Sequence, residues 1–435
     1  MSRRHVPAVL GLLAGALVAV PVPAAHAATV QVRCSVPDLV AAINAANSSP
    51  GPDTLRLARK CTYKLTAPDA VNPGNGLPVI ASEITIDGRG ATIRRDGRES
   101  NVPKFRILFV GPTGNLTLTH TTISGGFATD CPAFPDPPGL ACGGGISNAG
   151  TMTVTRSKFI GNTSRSDVFA QGGAIDSPGT GSVSETEVTG NHVIYSGSES
   201  GGGAAGGAIA NDGPLTVTRS RLTGNTAAVT KNTQSTAFGA GIISFAETTV
   251  EDTIISKNRS FAPGGFARAA VSNGIPAPGR MTVTGGAITD NTSDAPNGVA
   301  QGGGIANNAL MTVSKVKISG NRAVAKDGTA RGGGVRVGPF GTLELTDSHI
   351  TGNTVNASNG TAQGGGLDNP DGGTLTARRN KVLHNAVTAK DGTAQGGGLY
   401  HAGDPRGWAR PRWRRTPSPT TGRATAAASS RRPAS

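Results

Sequence analysis

The sequence is poor in aromatic residues, in cysteine and in long apolar runs. Phe, Tyr and Trp make up only 4% of its 435 residues, which leaves few platforms for stacked nucleic-acid bases. None of the four cysteines belongs to a Cys-x-x-Cys pair and no histidine lies close to them, so the usual signature of a zinc site is missing. After residue 22 no apolar run is long enough to span a membrane as a helix. We therefore expect no metal, no cofactor and no membrane span in the mature chain.

The formal charge of +14 is concentrated near the two ends of the chain. Residues 403–435 contain eight Arg and a single acidic residue, Asp404, while Arg3 and Arg4 lie at the N-terminus. The remaining body carries about +5, an ordinary solubility charge for a chain of this length. No specific nucleic-acid partner is therefore expected.

The first 27 residues have the organisation of a secretory signal peptide. A basic start at residues 3–5 precedes an apolar run over residues 6–22, and Ala-His-Ala at residues 25–27 offers a small-residue cleavage site. The Arg3-Arg4 pair also allows twin-arginine export. The sequence thus predicts a secreted or cell-surface protein.

An exported chain with four cysteines is expected to form two disulfides. Three pairings are open. Pairing of Cys34 with Cys61 and of Cys131 with Cys142 closes the shortest loops and is the one we favour.

A repeat of about 32 residues organises residues 116–402. Each unit ends on an asparagine, and successive asparagines are 29 to 34 residues apart. This asparagine column consists of Asn162, Asn191, Asn225, Asn258, Asn291, Asn321, Asn353 and Asn385. A period of 20–50 residues indicates a solenoid, a propeller or an array of repeats. The 64 glycines and the alternating Thr and Val residues favour a parallel β-helix among these.

Three apolar columns accompany the asparagines and predict the inward face of each coil. The first lies three residues before each asparagine: Phe159, Val188, Leu222, Ile255, Ile288, Ile318, Ile350 and Val382. The second usually follows two or three glycines: Ile146, Ile175, Ile209, Ile242, Ile275, Ile305, Val335, Leu367 and Leu399. The third lies in the alternating stretch: Val154, Val183, Val217, Val250, Val283, Val313, Leu345 and Ala377. We therefore predict three short strands in each coil.

The asparagine column has a physical explanation in two parts. Asparagine tolerates the left-handed backbone conformation of a turn, and stacked side-chain amides can hydrogen bond from coil to coil. A weaker column is expected to act in the same way at another corner: Asn148, Asn211, Asn307 and Asn369.

A polar loop is predicted between each asparagine and the next glycine cluster. Four of these loops share a design, with Asn297-Gly298, Asp327-Gly328, Asn359-Gly360 or Asp391-Gly392 shortly before Gln301, Arg331, Gln363 or Gln395. Stacked on one side of the solenoid they would form a ridge. The ridge is either a repetitive binding surface or a set of solvated turns.

Residues 28–115 are predicted to form an N-terminal cap and the first, irregular rungs. Apolar residues at helical spacing indicate one amphipathic helix over residues 37–47, placed to cover the open end of the solenoid. Short strands are expected at residues 83–86, 91–93, 105–110 and 116–119.

Two segments resemble known families. Cys34-Ser35, residues 41–43 and 45–47 and Ile-Thr-Ile-Asp-Gly at 84–88 resemble the cap named for a Cys-Ser-Leu-Arg-Glu-Ala motif in secreted bacterial β-helix proteins, although residues 36–38 depart from its Leu-Arg-Glu part. The repeats resemble those of polymorphic outer membrane proteins, with Gly-Gly-Ala-Ile at 172–175 and 206–209 and Phe-x-x-Asn at 159–162. Together these resemblances cover roughly residues 34–400. They imply an all-β, right-handed parallel β-helix of about ten coils with a pectate-lyase-like fold, and they imply little about activity.

The columns bring no catalytic group together. Catalysis needs groups on adjacent coils, which stack about 4.8 Å apart. Asp176 and Asp368 share a column but lie six coils apart, and Asp290 and Asp347 occupy different columns. The histidines also fall in separate columns: His120, His192, His349 and His384. We therefore predict no catalytic site.

Outward-facing hydroxyl residues form the most regular candidate binding face. They lie nine and seven residues before the column asparagines, and the candidate set is Thr153, Thr155, Thr216, Thr218, Thr282, Thr284 and Thr312. The pairs resemble the Thr-x-Thr face of ice-binding β-helices, although Glu251, Glu344 and Arg378 interrupt them. Exposed strands also favour Thr for its β-propensity alone.

The sequence therefore favours an exported, non-catalytic β-helix protein, adhesin-like or polysaccharide-binding. Its partner would be a cell-wall or extracellular polysaccharide, or another cell surface. A divergent lyase or hydrolase acting on uronic-acid polymers and an ice-binding protein are the alternatives. Residues 403–435 are predicted to be a disordered basic tail, either a real part of the protein or the product of a shifted reading frame.

Overall fold

A computed structural model describes residues 27–97, 101–133, 138–274, 279–370 and 372–402. The segments predicted as signal peptide and basic tail lie outside these residues, except for Ala27. The described chain forms one α-helix, Val36–Ser48, and an all-β parallel solenoid of about 11 coils. The sequence predicted about ten coils, because three strands that begin the solenoid, between residues 28 and 65, do not follow the repeat.

Three sheets surround the wide part of each coil, and every strand pairs in parallel with the equivalent strands of neighbouring coils. Sheet 1 contains Ala28–Val32, Asp53–Leu57, Glu83–Asp87, Asn115–Thr119, Thr151–Thr155, Thr180–Ser184, Leu215–Thr218, Thr248–Glu251, Arg280–Thr284, Leu310–Ser314, Thr342–Thr346 and Thr374–Arg378. Sheet 2 contains Thr62–Leu65, Thr92–Arg95, Thr122–Ser124, Lys158–Ile160, Glu187–Thr189, Arg221–Thr223, Ile254–Ser256, Ala287–Thr289, Lys317–Ser319, His349–Thr351 and Lys381–Leu383. Sheet 5 contains Leu108–Val110, Ile146–Asn148, Ile175–Ser177, Ile209–Asn211, Ile242–Ser244, Val271–Asn273, Ile305–Asn307, Val335–Val337, Leu367–Asn369 and Leu399–His401.

Two further sheets form a narrow lobe on the coil, between sheet 2 and sheet 5 in chain order. Sheet 3 contains Phe127–Ala128, Thr163–Ser166, His192–Tyr195, Thr226–Val229, Arg259–Phe261, Thr292–Asp294, Arg322–Ala325, Thr354–Ala357 and Ala386–Thr388. Sheet 4 contains Leu140–Cys142, Phe169–Gln171, Gly203–Ala205, Thr236–Phe238, Phe266–Arg268, Val299–Gln301, Thr329–Arg331, Thr361–Gln363 and Thr393–Gln395.

A full coil therefore has five short strands, and the prediction of three was wrong. The segments predicted as polar loops form sheets 3 and 4. Their inward residues are mostly alanine and serine, such as Ala362 within Thr361–Gln363, so they do not stand out as a hydrophobic column. The Asn-Gly and Asp-Gly turns do stack, since Thr329 N donates to Gly298 O and Thr361 N donates to Gly328 O.

The three apolar columns pack together in the wide core. Ile288, Ile318 and Ile350 are in register in sheet 2, and Val283, Val313 and Leu345 are in register in sheet 1, all almost fully buried. One member of the second column was assigned wrongly. Val271, not Ile275, pairs with Ile242 and Ile305 in sheet 5. Ile275 lies outside the described residues, and the error arose because Ala269 and Ala270 replace the glycines that mark this position elsewhere.

A narrow waist separates the wide core from the lobe, and the asparagine column lies in it. Asn191 shows the pattern: its Nδ2 donates to Asn225 Oδ1 (2.9 Å) and to Phe159 O (3.1 Å), and its backbone N–H also donates to Asn225 Oδ1 (2.9 Å). The same bonds continue along the column to Asn385. From Asn162 to Asn353 every amide group is therefore satisfied by its neighbours although the side chains are buried.

The predicted left-handed conformation belongs to a different residue. None of the column asparagines has a positive φ; the residue before each one does, for example Gly190 (φ 62°) and Asp290 (φ 58°). That part of our explanation was wrong, while the coil-to-coil bonding was correct.

The glycine clusters form the other wall of the waist. Gly172 adopts φ 56°, which a side chain would strain. A Cβ on Gly173 would lie 2.2 Å from Gly207 O and 2.7 Å from His192 O, so only glycine lets the turn approach the start of sheet 3. The waist can therefore close because the glycines of this wall have no side chain.

A second ladder, which the sequence analysis missed, joins the corners between sheets 1 and 2. Ser157 Oγ donates to Thr155 O (2.9 Å) and accepts from Thr121 N (3.2 Å), and Thr186 and Ser220 repeat this arrangement. These hydroxyl groups satisfy backbone N–H groups of corner residues, which lie outside the strands.

The helix covers the N-terminal end of the wide core. Ser35 caps its N-terminus, and its own residues Leu39, Ala42, Ile43 and Ala46 form its buried face. Asn47, in the last turn of the helix, donates from Nδ2 to Val79 O (2.7 Å) and accepts from Ala81 N (2.9 Å). The helix therefore closes an end that would otherwise expose apolar side chains.

The two disulfides join the neighbouring pairs of cysteines that the sequence analysis favoured. Cys34, beside the helix, is bonded to Cys61, and Cys131 is bonded to Cys142 in sheet 4. No helix among the described residues is long and apolar enough to cross a membrane.

Candidate functional site

The outward side of sheet 1 carries the hydroxyl residues predicted as a binding face. In-register pairing aligns Thr153, Ser182 and Thr216, and the alignment continues in both directions. The resulting first rank has ten consecutive hydroxyl residues: Thr29, Thr54, Thr85, Thr117, Thr153, Ser182, Thr216, Thr249, Thr282 and Thr312. At the usual strand spacing it extends over roughly 43 Å.

The first four members of this rank were missed by the sequence analysis. Thr29, Thr54, Thr85 and Thr117 lie in coils without the repeat asparagine, so counting back from that residue could not find them. Glu344 ends the rank after Thr312, as the sequence indicated.

A second rank runs beside the first, two residues further along each strand. It is continuous over Thr119, Thr155, Ser184 and Thr218, and Glu251 then interrupts it before Thr284 and Ser314. Neighbouring hydroxyls bond along the rank, with 3.2 Å between Thr155 Oγ1 and Ser184 Oγ and 3.3 Å between Thr284 Oγ1 and Ser314 Oγ. Side chains held by such contacts lose little conformational freedom when a ligand binds. We call the two ranks together the hydroxyl face.

A row of charged corner residues borders the hydroxyl face toward sheet 2. These residues adopt positive φ, and several form exposed ion pairs between coils. Glu185 lies between Arg156 (3.7 Å) and Arg219 (3.3 Å), and Arg379 donates two hydrogen bonds to Asp347 (2.6 and 2.8 Å). The Arg379 side chain thereby holds the pKa of Asp347 below its ordinary value.

An open depression of about 590 Å³ lies at the N-terminal part of this border. Its lining is mainly basic, with Arg59, Arg89, Arg156 and Lys158 beside His120, and Asp87 is the acidic member. The hydroxyl face is thus continuous with a basic patch that suits a ligand carrying negative charge.

Asp176 and Asp368 lie where the sequence placed them, in one column of sheet 5 and six coils apart. Each nevertheless has a charged neighbour that the columns did not reveal. Burial, together with the charge of Asp212, raises the pKa of Asp176 to about 8, while Arg106 opposes the shift. Burial raises the pKa of Asp368 to about 6 despite the charge of Arg336, whose Nε is 3.3 Å from Asp368 Oδ2.

Asp212 is a carboxylate near Asp176 that the columns did not include, because its charge contributes to the raised pKa of Asp176. Asp212 lies in the turn after Ile209–Asn211, outside every column, and burial raises its pKa to about 6. Asp176 is fully buried, with one oxygen that makes no hydrogen bond, so a polymer substrate cannot reach it.

The remaining candidates for acid and base roles lie apart from one another, but His120 Nδ1 is 4.0 Å from Asp87 Oδ1, a pair that the columns did not show. Asp290 and Asp347 are corner residues before different ladders. His120 and His384 are also corner residues, His349 begins a strand of sheet 2, and burial lowers the pKa of His192 in sheet 3. Among the described residues, the grouping that comes closest to a metal site combines Asp176 with Cys131 and Cys142, but both sulfurs are already in a disulfide.

Comparison with known proteins finds no matching family model and no significantly similar curated protein or solved structure. The function therefore has to be argued from the surfaces of this chain.

Proposed function

We propose that this protein is exported and acts without catalysis at the cell surface or outside the cell, where its hydroxyl face binds an extracellular polysaccharide. The two disulfides fit an oxidising compartment. The resemblance of the cap and repeats to secreted bacterial β-helix proteins and to polymorphic outer membrane proteins supports the same location and an adhesin-like role.

The observation that carries the proposal is the unbroken rank from Thr29 to Thr312. Each hydroxyl group both donates and accepts hydrogen bonds, as a sugar hydroxyl does. A polysaccharide is also a linear array of hydroxyl groups, so a rank of ten side chains offers many weak contacts along one ligand molecule. Such weak contacts add up to tight binding, because each contact that forms raises the effective concentration of the next sugar residue at the face.

The experiment measures binding of the purified full chain to immobilised cell-wall and plant polysaccharides. We expect saturable binding to at least one polymer. The double variant Thr153→Val and Thr216→Val removes two hydroxyls while keeping β-branched side chains, and it should weaken binding about tenfold. The control is Thr189→Val with Thr223→Val, which changes two outward hydroxyls on sheet 2. Equal affinity of the wild type and the sheet 1 variant would refute the hydroxyl face as the site, and turnover of the polymer into unsaturated or shortened products would refute a non-catalytic role.

Ice binding is a second candidate, favoured by the length of the same rank. An ice surface presents a regular lattice, and regularly spaced threonines over several coils could match it. The wild type would then show thermal hysteresis, which Thr153→Tyr should abolish because the bulky ring interrupts the flat rank. Absence of thermal hysteresis in the wild type would exclude this function.

A further inference from the structure

A groove runs along the solenoid where the lobe joins the wide part of the coil. Its walls are the outward side of sheet 4 and the side of sheet 5 that faces away from the wide core. Strands of sheet 5 are consequently buried on both faces, as in Ile305–Asn307 and Val335–Val337. This groove is separate from the hydroxyl face, which lies on sheet 1.

The middle of the groove is apolar and aromatic. Phe238 of sheet 4 packs edge-on against Phe245, which follows the sheet 5 strand Ile242–Ser244, with 6.3 Å between the ring centres. Ile243 lies beside them and Phe340 stands at the rim, 75% exposed. Together with the adjacent polar residues they enclose a cavity of about 360 Å³, within the size range of pockets for small ligands.

Three arginines continue the groove toward the C-terminal coils. Arg268 and Arg331 project from sheet 4, and Arg336 projects from sheet 5. The Arg336 side chain is only 9% exposed. Its Nη1 donates to Gln301 Oε1 (3.0 Å). We call these three residues the arginine cluster.

The arginine cluster is not neutralised by the protein around it. Asp368 is the one carboxylate that the structure places in contact with it, so two positive charges are in excess within the described residues. The Nε groups of Arg268 and Arg331 lack a hydrogen-bond partner, and the Nε group of Arg336 has only its ion pair with Asp368. Burial lowers the pKa of Arg268, and burial with the charges of Arg331 and Arg268 lowers the pKa of Arg336 to about 10. The guanidinium group of Arg336 therefore stays charged at neutral pH, in a place where unpaired charge is costly.

We propose that the groove binds a ring-containing anion, with its carboxylate or sulfate on the arginine cluster and its ring against Phe238 and Phe245. Guanidinium groups with free N–H donors match the geometry of such anions, and a bound anion would offset the excess charge. The ligand must also have an apolar face next to its charged group, because that face packs against the phenyl rings. An acidic sugar residue and an aromatic acid both meet these requirements.

An extended peptide fits the groove less well. Peptides that add to a sheet use an unpaired strand edge, whereas the strands of sheets 4 and 5 around the groove are already paired on both sides. The ligand must therefore be held by side chains, which favours a compact ring with one charged group.

The test measures binding of the full chain to matched pairs of small molecules by calorimetry. Glucuronate is compared with glucose, benzoate with benzyl alcohol, and inorganic sulfate serves as an anion without a ring. We expect saturable binding of glucuronate or benzoate, at least tenfold weaker binding of sulfate, and no detectable binding of the neutral partners. Whichever of the two ring anions binds more tightly identifies the source of the anion, as a sugar or as an aromatic acid.

Three variants locate the site. Arg336→Gln and, in a less buried position, Arg331→Gln should each weaken binding of the ring anion at least tenfold. Arg221→Gln, on an exposed position of sheet 2, should leave it unchanged. Phe238→Leu should weaken binding of the ring anion and leave binding of sulfate unaltered. Thermal melting of each variant shows whether it is folded. If Arg336→Gln does not fold, Arg331→Gln still tests the site.

The proposal is overturned if neither ring anion binds, or if both arginine variants bind as tightly as the wild type. Binding of an acidic peptide in preference to both ring anions would also overturn it. Because the hydroxyl face is unchanged in these variants, loss of polysaccharide binding through Thr153→Val and Thr216→Val is a separate result.

Discussion

The wide core and the narrow lobe of each coil are built from the same backbone with different side chains. Large aliphatic residues such as Ile318 and Leu345 hold sheets 1, 2 and 5 apart in the wide core. Alanines such as Ala227 and Ala330 allow sheets 3 and 4 to pack closely in the lobe. The size of the inward side chains therefore shapes the cross-section, and the change in width at the waist creates the groove beside sheet 5.

The largest effect should come from a charge placed in the wide core. Ile318→Asp would bury a carboxylate among aliphatic side chains, and we expect it to lower the free energy of unfolding by about 4–5 kcal/mol or to prevent folding. Thr312→Asp, on the outward side of sheet 1, should cost less than about 1 kcal/mol because the charge stays in water. Urea denaturation measures both. Similar losses would show that our assignment of inward and outward faces is wrong.

The waist should be the next most sensitive region. Asn258→Ala removes the acceptor for Asn225 N and Asn225 Nδ2 and the donor to Leu222 O. Buried groups left unsatisfied in this way should cost about 3 kcal/mol. Asn356→Ala, at an exposed position of sheet 3, is the control and should be nearly neutral. If Asn258→Ala lowered the free energy of unfolding by less than about 1 kcal/mol, water would have to replace the hydrogen bonds that the asparagine makes.

The lobe should resist enlargement of its small residues. Ala227→Leu adds volume between sheets 3 and 4, which we expect to cost about 1–3 kcal/mol through displacement of the strands. Ala228→Leu makes the same change on the outward side of the same strand and should cost less than about 0.5 kcal/mol. Equal melting temperatures for the two variants would contradict a closely packed lobe.

The smallest effect concerns Asp176, the fully buried carboxylate of sheet 5. Burial raises the pKa of Asp176, so between about pH 4 and about pH 8 the folded state keeps a proton that the unfolded state has released. Stability contributed by this group therefore falls as the pH rises through that range. Between pH 5 and pH 8, the free energy of unfolding of Asp176→Asn should therefore fall by about 1–2 kcal/mol less than that of the wild type. Arg106 and Asp212, which face Asp176, are unchanged in the variant.

Asp252→Asn, at an exposed corner, is the control for this prediction and should leave the pH dependence as it is in the wild type. The measurement is the free energy of unfolding in urea at pH 5 and pH 8. An identical slope for wild type and Asp176→Asn would show that Asp176 is ionised in the folded protein.

Much of the fold was accessible from the sequence because it depends on local, repeated requirements. Large aliphatic residues at fixed spacing identified the wide core, and the asparagine column identified a buried ladder. The helix was predicted at residues 37–47 and occupies Val36–Ser48, since its apolar residues recur at helical spacing. Export and the basic tail fall on residues that the structure does not describe, and they stay predictions.

Other features required the three-dimensional structure. Sheets 3 and 4 escaped detection because alanine and serine carry little hydrophobic signal, yet they suffice where two sheets approach closely. The first four hydroxyl residues of the long rank could be aligned only through strand register, because their coils lack the repeat asparagine.

The repeat by itself determined that this chain forms a parallel solenoid, because each coil must present the same small set of inward side chains to the next. Only the tertiary structure decided which outward side chains meet. Arg268, Arg331 and Arg336 come from two different sheets, and they share one groove because the glycines of the waist let the coil bend sharply between those sheets. That contact depends on the cross-section of the coil, which no spacing along the chain encodes.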